Sequence, residues 1–218
     1  MLRPEELSDD RCDAIALALI RRHKLAYVDR DAPAGLLAWP LAAIDAALEV
    51  AHLVAPTVAP SAGEFRLHWG FTAGPFVTLA RAARGLARVA HAVHEVGHGD
   101  QFYRAVVTGD RVEDLRTPFA WSYLVSSEAR ARYEADRYAA QGEFDARLAG
   151  WDRATWARYV AWVRDDALTH YALTDGDRAL AADILDGRAA SVLAGAPCLD
   201  AVCAEALELV RQACAEAP

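Results

Sequence analysis

Lysine is nearly absent from this sequence. Lys24 is the only one, and 23 lysine and arginine residues together stand against 31 aspartate and glutamate residues. The formal net charge is −8 at pH 7, and the isoelectric point is about 5.3. Binding to nucleic acid regardless of sequence needs a basic surface that displaces counterions from the phosphates. We therefore expect no nucleic-acid partner.

Long uncharged apolar runs are also missing. The longest apolar stretch, residues 35–54, is interrupted by Asp45, Glu49 and His52, whereas a membrane-spanning helix needs about 20 consecutive apolar residues. Acidic residues follow closely behind Met1, in place of the basic and apolar regions of a signal peptide. The sequence thus predicts no membrane partner and a cytoplasmic location.

Cysteine occurs four times, at Cys12, Cys198, Cys203 and Cys214. Four cysteines are too few for a disulfide scaffold at a length of 218 residues, and their spacing does not match a zinc knuckle. We expect reduced thiols. A local bridge between Cys198 and Cys203 stays open as an alternative.

The composition favours helices. Alanine and arginine, both strong helix formers, are abundant, and β-branched residues are sparse. The length suits one domain with a core of its own. We expect a mainly α fold, a helical bundle-like single domain over residues 1–218, with at most one short strand or small sheet. Residues 1–55 are expected to form an N-terminal helical pair.

Apolar residues recur at helical spacing along most of the chain. The predicted helices cover residues 5–24, 41–54, 75–103, 120–148, 153–166, 175–193 and 199–215. Gly150 is expected to end the helix before it, and a break at Gly187 is left open. Residues 64–69 alternate between polar and apolar side chains and are the best strand candidate.

The strongest local signal is a His-Glu-x-x-His motif, residues 94–98. His94 and His98 are four residues apart and project from one helical face, so they can bind one metal ion while Glu95 reaches a water on that ion. The alternative is an amphipathic helix with ordinary surface histidines. The clustering of polar residues in an otherwise apolar helix favours a site. His91 either joins this site or lies beside it as a hydrogen-bonded bystander.

The motif and a downstream segment resemble the gluzincin metallopeptidases. The residues that carry the resemblance are His94, Glu95, His98 and the Tyr-Glu-Ala-Asp-Arg-Tyr-Ala segment at residues 133–139. The similarity covers about residues 89–142. It implies a zinc ion bound by the two histidines and by a glutamate from a following helix, with Glu95 as general base and general acid.

The third metal ligand has several candidates. In some gluzincins the ligand lies four residues before the Asp, where this chain has Arg132, which cannot bind a cation. In others it is the residue directly before the Ala, here Glu134. Glu134 shares a helical stripe with Ala131, Tyr138 and Gln141, whereas Glu128, Arg132 and Asp136 form a charged stripe typical of a solvated surface. We choose Glu134, with Glu128 as the second choice. Asp136 either orients a ligating histidine or pairs with Arg132.

These residues predict a zinc-dependent hydrolase, a metallopeptidase or amidase that acts on a peptide or small amide. Zn²⁺ lowers the pKa of a bound water to about 7, and Glu95 is the expected general base. His170 and Tyr171 are candidate donors for the oxyanion that forms during attack on the carbonyl. Both residues can equally be helix-end or core residues.

Two other functions remain open. Glu95 and His98 also form the Glu-x-x-His element of four-helix di-iron proteins, and Glu128 or Glu134 with Asp166 and His170 can complete such a site. That assignment of a di-iron oxidase or oxygenase leaves His94 without a role. The second alternative is a helical domain without catalytic activity.

Overall fold

The computed structural model of the chain describes residues 2–29, 38–54, 61–68, 70–103 and 119–216. These residues form nine α-helices and one small three-stranded sheet, which confirms the predicted mainly α fold. The helices are α1 (Asp9–Arg22), α2 (Ala38–Val54), α3 (Ala62–His68), α4 (Gly85–Tyr103), α5 (Phe119–Val125), α6 (Ser127–Ala149), α7 (Arg153–Asp165), α8 (Asp175–Leu193) and α9 (Ala201–Ala215). The strands are β1 (Ala26–Tyr27), β2 (Phe71–Ala73) and β3 (Phe76–Thr78).

Side-chain caps define where most helices begin. Ser8, Ser126, Asp152, Thr174 and Asp200 each accept a hydrogen bond from an amide in the first turn of the helix that follows. Such caps satisfy amides that have no partner within the helix. Ser126 also explains why the predicted helix at residues 120–148 is in fact two helices. Its backbone is extended, with φ −121° and ψ 115°, so α5 ends there and α6 begins.

Glycines were considered as interruptions of helices at two positions. Gly150 ends α6 as predicted, with a left-handed φ of +65°. Helix α8, in contrast, continues through Gly187 without a break.

The strand predicted at residues 64–69 is wrong. This segment lies in helix α3, and Trp69 lies outside the described residues. Ser61 and Glu64 form a reciprocal cap: the Ser61 hydroxyl accepts from the Glu64 amide at 3.2 Å, and Glu64 Oε2 accepts from the Ser61 amide at 2.9 Å. This Ser-x-x-Glu box is a helix start signal that outweighs the short alternation.

The helix predicted at residues 75–103 begins ten residues later, at Gly85. Residues 76–78 form β3, which pairs with β2 in antiparallel register, Phe71 opposite Thr78. Gly74 and Pro75 connect the two strands, and Gly74 has a φ of +55°, which a glycine adopts without strain. Strand β1 pairs with β3 in parallel, giving the order β1-β3-β2.

Helix α4 lies at the centre of the packing. It contacts α1, α6, α9 and the strands β2 and β3. One apolar core joins α1, α4 and α9 through buried residues that include Leu19, Val93 and Val210. A second core joins α6, α7 and α8 around Val163 and Leu185. Helix α6 contributes to both cores, so α4 and α6 are held side by side.

Helix α1 packs into the main core against α4 and α9, whereas α2 contacts α3. None of the helices in the described part of the chain combines the length and apolar character needed to span a membrane.

His23, at the end of α1, links three helices. Its Nδ1 lies 3.0 Å from Asp100 Oδ1 on α4, and its Nε2 lies 3.1 Å from Glu205 Oε2 on α9. Glu205 also pairs with Arg22 at 2.9 Å. The hydrogen bond with Asp100 and the charges of both carboxylates raise the pKa of His23, although burial opposes them. Protonated His23 therefore stabilises this junction.

Candidate metal centre

Helix α4 presents the His-Glu-x-x-His motif on its buried face. His94, Glu95 and His98 are 4, 5 and 8% exposed. The Nε2 atoms of His94 and His98 lie 3.1 Å apart, because residues four apart on a helix project from the same face. The two rings therefore converge on one point, as the sequence predicted.

Glu134 projects from α6 toward the same point. Its Oε2 lies 3.4 Å from His94 Nε2, and its Oε1 lies 3.5 Å from His98 Nε2. At Zn–N and Zn–O distances of about 2.0–2.1 Å, two ligand atoms of a tetrahedron are roughly 3.3–3.4 Å apart. The three separations in the structure, 3.1, 3.4 and 3.5 Å, therefore leave room for one tetrahedral metal ion between the ligand atoms.

The buried atoms of this trio also suit a cation. Within the described part of the chain, Glu134 Oε2 is fully buried and accepts no hydrogen bond. A buried carboxylate oxygen without a partner is costly unless a cation neutralises it. Burial raises the pKa of the Glu134 carboxyl, but the facing imidazoles outweigh burial and hold this pKa well below its usual range. Glu134 is therefore ionised and available as a ligand.

Gln101 fixes the orientation of His98. The Gln101 side-chain amide lies 3.1 Å from His98 Nδ1 on one side and 2.8 Å from Asp136 Oδ2 on the other. An ionised carboxylate only accepts, so the Gln101 NH₂ group must face Asp136 and its oxygen must face His98. His98 Nδ1 consequently carries a proton, and Nε2 is the ring nitrogen that faces His94 and Glu134.

Asp136 therefore acts on His98 through Gln101, not by direct contact. It also pairs with Arg137 on its own helix. Its other predicted partner, Arg132, bonds instead to Glu128 at 2.8 Å, and both of these side chains are exposed. Glu128 thus lies in a solvated surface pair, away from the metal trio.

Arg137 of α6 packs against helix α4. It is 1% exposed, pairs with Asp200 at 2.9 Å, and lies against Gly97 of the motif. A Cβ at position 97 would be 1.8 Å from Arg137 Nη1, so only glycine fits there. The sequence analysis missed both Arg137 and Asp200 as parts of the site.

The Glu95 carboxylate contacts strand β2 and His91. Its Oε2 accepts a hydrogen bond of 2.7 Å from the Thr72 hydroxyl on β2, and its Oε1 lies 3.3 Å from His91 Nε2. Burial raises the pKa of the Glu95 carboxyl, but the contact with His91 and the charge of His94 outweigh burial and lower it. Glu95 is therefore a carboxylate, the form that accepts a proton. His91 contacts Glu95 and, among the described residues, is not part of the cluster formed by His94, His98 and Glu134.

A cleft of about 540 Å³ opens over the motif. His94 and Glu95 lie in its wall together with His170 and Tyr171, the two donors predicted from the sequence. The cleft has the size of a typical small-ligand site. Its other lining residues are mainly small and aromatic, and include Ala80, Ala83, Ala87, Tyr138 and Trp162.

Three tyrosines surround the trio. The Tyr138 ring lies edge-on to the His94 ring with centroids 4.5 Å apart, and the Tyr123 hydroxyl donates to Glu134 Oε1 at 2.5 Å. Burial and the negative charge of Glu134 raise the pKa values of Tyr123, Tyr138 and Tyr171. All three phenols therefore keep their protons and can donate hydrogen bonds.

No protein-family model, curated protein or solved structure matches this chain. The site must therefore be judged by its own geometry.

Proposed function

We propose that this protein is a zinc-dependent hydrolase of amide or peptide bonds, with His94, His98 and Glu134 as the metal ligands. The convergence of their ligand atoms at 3.1 to 3.5 Å from two different helices is the observation that carries the proposal. The resemblance to gluzincins implies the two histidines and a glutamate from a following helix, for which helical geometry favoured Glu134. Three protein ligands leave the fourth tetrahedral position open, as in catalytic zinc sites.

A bound zinc ion supplies Lewis acidity and lowers the pKa of water to about 7. Glu95 is ionised, lines the same cleft as His94, and can accept the proton of an attacking water and return it to the leaving amine. Tyr171 is protonated and, like His170, lines this cleft, so both are candidate donors to the oxyanion.

The sheet suggests how a peptide would bind. Strand β2 lies at one end of the β1-β3-β2 order, and Thr72 on this strand contacts the proposed base. An extended peptide can add to the edge of a sheet through backbone hydrogen bonds. Strand β2 has three residues, and the cleft is of moderate size, so we propose a short peptide or small amide as the substrate.

The di-iron alternative has less support from the geometry. A second Glu-x-x-His element, which our sequence analysis overlooked, occurs in α2 at Glu49 and His52. Glu49, however, accepts a hydrogen bond from the Ala62 amide at 2.8 Å. Among the described residues it belongs to no cluster of potential ligand atoms, and the exposed Glu128 belongs to none either.

Metal content distinguishes the three functions. Protein purified without chelator should contain about one zinc ion per chain by elemental mass spectrometry. Two irons per chain would favour the oxidase, and no metal would favour a non-catalytic domain.

Two pairs of variants assign the roles. Glu134→Gln should lose the zinc, whereas Glu128→Gln, the matched surface control on the same helix, should retain it. Glu95→Gln should keep zinc and lose at least about 100-fold in turnover, measured on a library of short peptides and amides. Metal loss in Glu128→Gln alone would contradict the assignment of Glu134.

A further inference from the structure

A second cluster of chemically reactive side chains lies at the start of α9, separate from the metal trio. The sulfur atoms of Cys198 and Cys203 and a carboxylate oxygen of Glu143 all lie within 4.8 Å of one another. Both cysteines are free thiols in this structure. Cys203 is fully buried, whereas Cys198, in the loop before the helix, is partly exposed.

The backbone around the two thiols is well fixed. Asp200 caps α9, and its Oδ1 accepts a hydrogen bond of 2.8 Å from the Cys203 amide. The Cys198 thiol lies 3.5 Å from the Asp200 carbonyl oxygen. Cys203 is thus in the first turn of a helix, where the helix dipole favours a thiolate nearby.

The two thiols differ in their expected reactivity. A hydrogen bond from Cys203 lowers the pKa of the Cys198 thiol, although burial opposes it. The contact with Cys198 and burial raise the pKa of Cys203. Cys198 is therefore the nucleophile of the pair, and it is also the one that solvent reaches.

Glu143 makes a metal site less suitable here. Its Oε1 pairs with Arg147 at 2.7 Å, and its Oε2 pairs with Arg188 at 2.6 Å. A cation bound by this carboxylate would lie close to two guanidinium groups. The cluster also offers three ligands among the described residues, whereas a structural zinc site has four.

We propose that Cys198 and Cys203 form a reversible dithiol–disulfide couple that is oxidised by hydroperoxides. The Cys198 thiolate attacks a peroxide oxygen and the O–O bond breaks. The leaving hydroxide or alkoxide takes up the proton that the Cys198 thiol released, so the products are a sulfenic acid at Cys198 and water or an alcohol. The Cys203 thiol then attacks the Cys198 sulfur, so that an S–S bond forms, the S–O bond breaks and water leaves. The two thiols give up two electrons, which the hydroperoxide accepts.

The chain contains its own control pair. Cys12 and Cys214 are 0 and 5% exposed. Burial, together with nearby acidic residues, raises the pKa of the Cys12 thiol to about 11. These two thiols should resist oxidation under conditions that oxidise Cys198.

The test treats the full-length protein with hydrogen peroxide, alkylates the remaining thiols, and maps the peptides by mass spectrometry. We expect a Cys198–Cys203 crosslink that dithiothreitol reverses, with Cys12 and Cys214 alkylated. Cys203→Ser should instead accumulate a Cys198 sulfenic acid that dimedone traps, and the double variant Cys12→Ser/Cys214→Ser should still form the crosslink. The wild-type map decides the question even if Cys203→Ser does not fold.

Two outcomes would overturn this proposal. One is alkylation of all four thiols after peroxide, or oxidation at Cys12 and Cys214 in preference to Cys198. The other is a metal ion that persists in Glu134→Gln and disappears in Cys198→Ser, which would make the cluster a metal site. Neither outcome bears on the proposed hydrolase, because the Glu134 trio is tested by its own variants.

Discussion

Replacing Gln101 with leucine tests whether the orientation of His98 controls metal binding. The side-chain oxygen of Gln101 accepts a hydrogen bond from His98 Nδ1, and its NH₂ group donates to Asp136 Oδ2. Leucine has a similar size but can neither accept nor donate a hydrogen bond. The substitution therefore removes the group that sets the tautomer of His98 while it leaves all three ligands in place.

The expected loss of zinc affinity can be estimated from the two hydrogen bonds of Gln101. Removal of a group that orients a ligating histidine weakens metal binding about 10- to 100-fold, or roughly 1.4–2.8 kcal/mol. A buried N–H left without an acceptor costs about 1–3 kcal/mol, which agrees with this range. Zinc affinity is measured by competition with a chelating dye, and the His98 tautomer by ¹⁵N NMR of the imidazole.

Gln212→Leu is the matched control, since Gln212 is an exposed residue of α9 bonded to Glu208. It should bind zinc like the wild type. Wild-type zinc affinity in Gln101→Leu, with the protein folded, would refute the orienting role. A large fall in the unfolding free energy without a change in zinc affinity would refute it as well, because Gln101 would then be purely structural.

Three further predictions follow from close contacts and one titration. Gly70→Ala places a Cβ 2.5 Å from Glu95 Oε1, so turnover should fall at least about 100-fold while zinc content stays unchanged; a loss of zinc would contradict this reading. Gly97→Ala displaces the buried Arg137 guanidinium and should lower the free energy of unfolding, measured in urea, by about 3–5 kcal/mol. A decrease below about 1 kcal/mol would contradict the close packing of Arg137 against Gly97. The raised pKa of His23 means that its protonated form stabilises the fold. This stabilisation is complete below about pH 6.5, the unfolded-state pKa, and disappears as the pH rises through the folded-state pKa. His23→Gln should therefore lose stability at about pH 5.5 and little at about pH 8.5, and an equal loss at both would rule out the titration.

The burial of His94, His98 and Glu134 around one point could be predicted because it depends on local helical periodicity. His94 and His98 are one turn apart, and this spacing alone brings their rings together once the helix forms. Glu134 was chosen over Glu128 because Glu128 lies on a stripe of charge pairs typical of a solvated surface, and the structure buries Glu134 and exposes Glu128. Periodicity gives the buried face of each helix, and the site lies where two such faces meet.

The errors in secondary structure have a common physical cause. Residues 64–69 were predicted as a strand and residues 75–84 as the start of a helix, in both cases from the apolar pattern. Short local motifs decided the structure of both segments. The Ser61–Glu64 cap starts a helix, and Gly74-Pro75 turns the chain between two strands. Over six to ten residues, such a signal outweighs a pattern that fits either structure.

The residues that pack around the candidate site differ in how far spacing could predict them. Gln101 lies three residues after His98 on one helix, so its contact with the ring was within reach of a local argument. Arg137 and Asp200 are 63 residues apart, and their pairing depends on how α6 and α9 pack. Gly97 links the local motif to this long-range ion pair, because a side chain at that position would occupy the space of the Arg137 guanidinium. The glycine in the motif is therefore explained by a long-range ion pair, which sequence periodicity does not encode, whereas the approach of His94 to His98 on either side of it follows from helical periodicity.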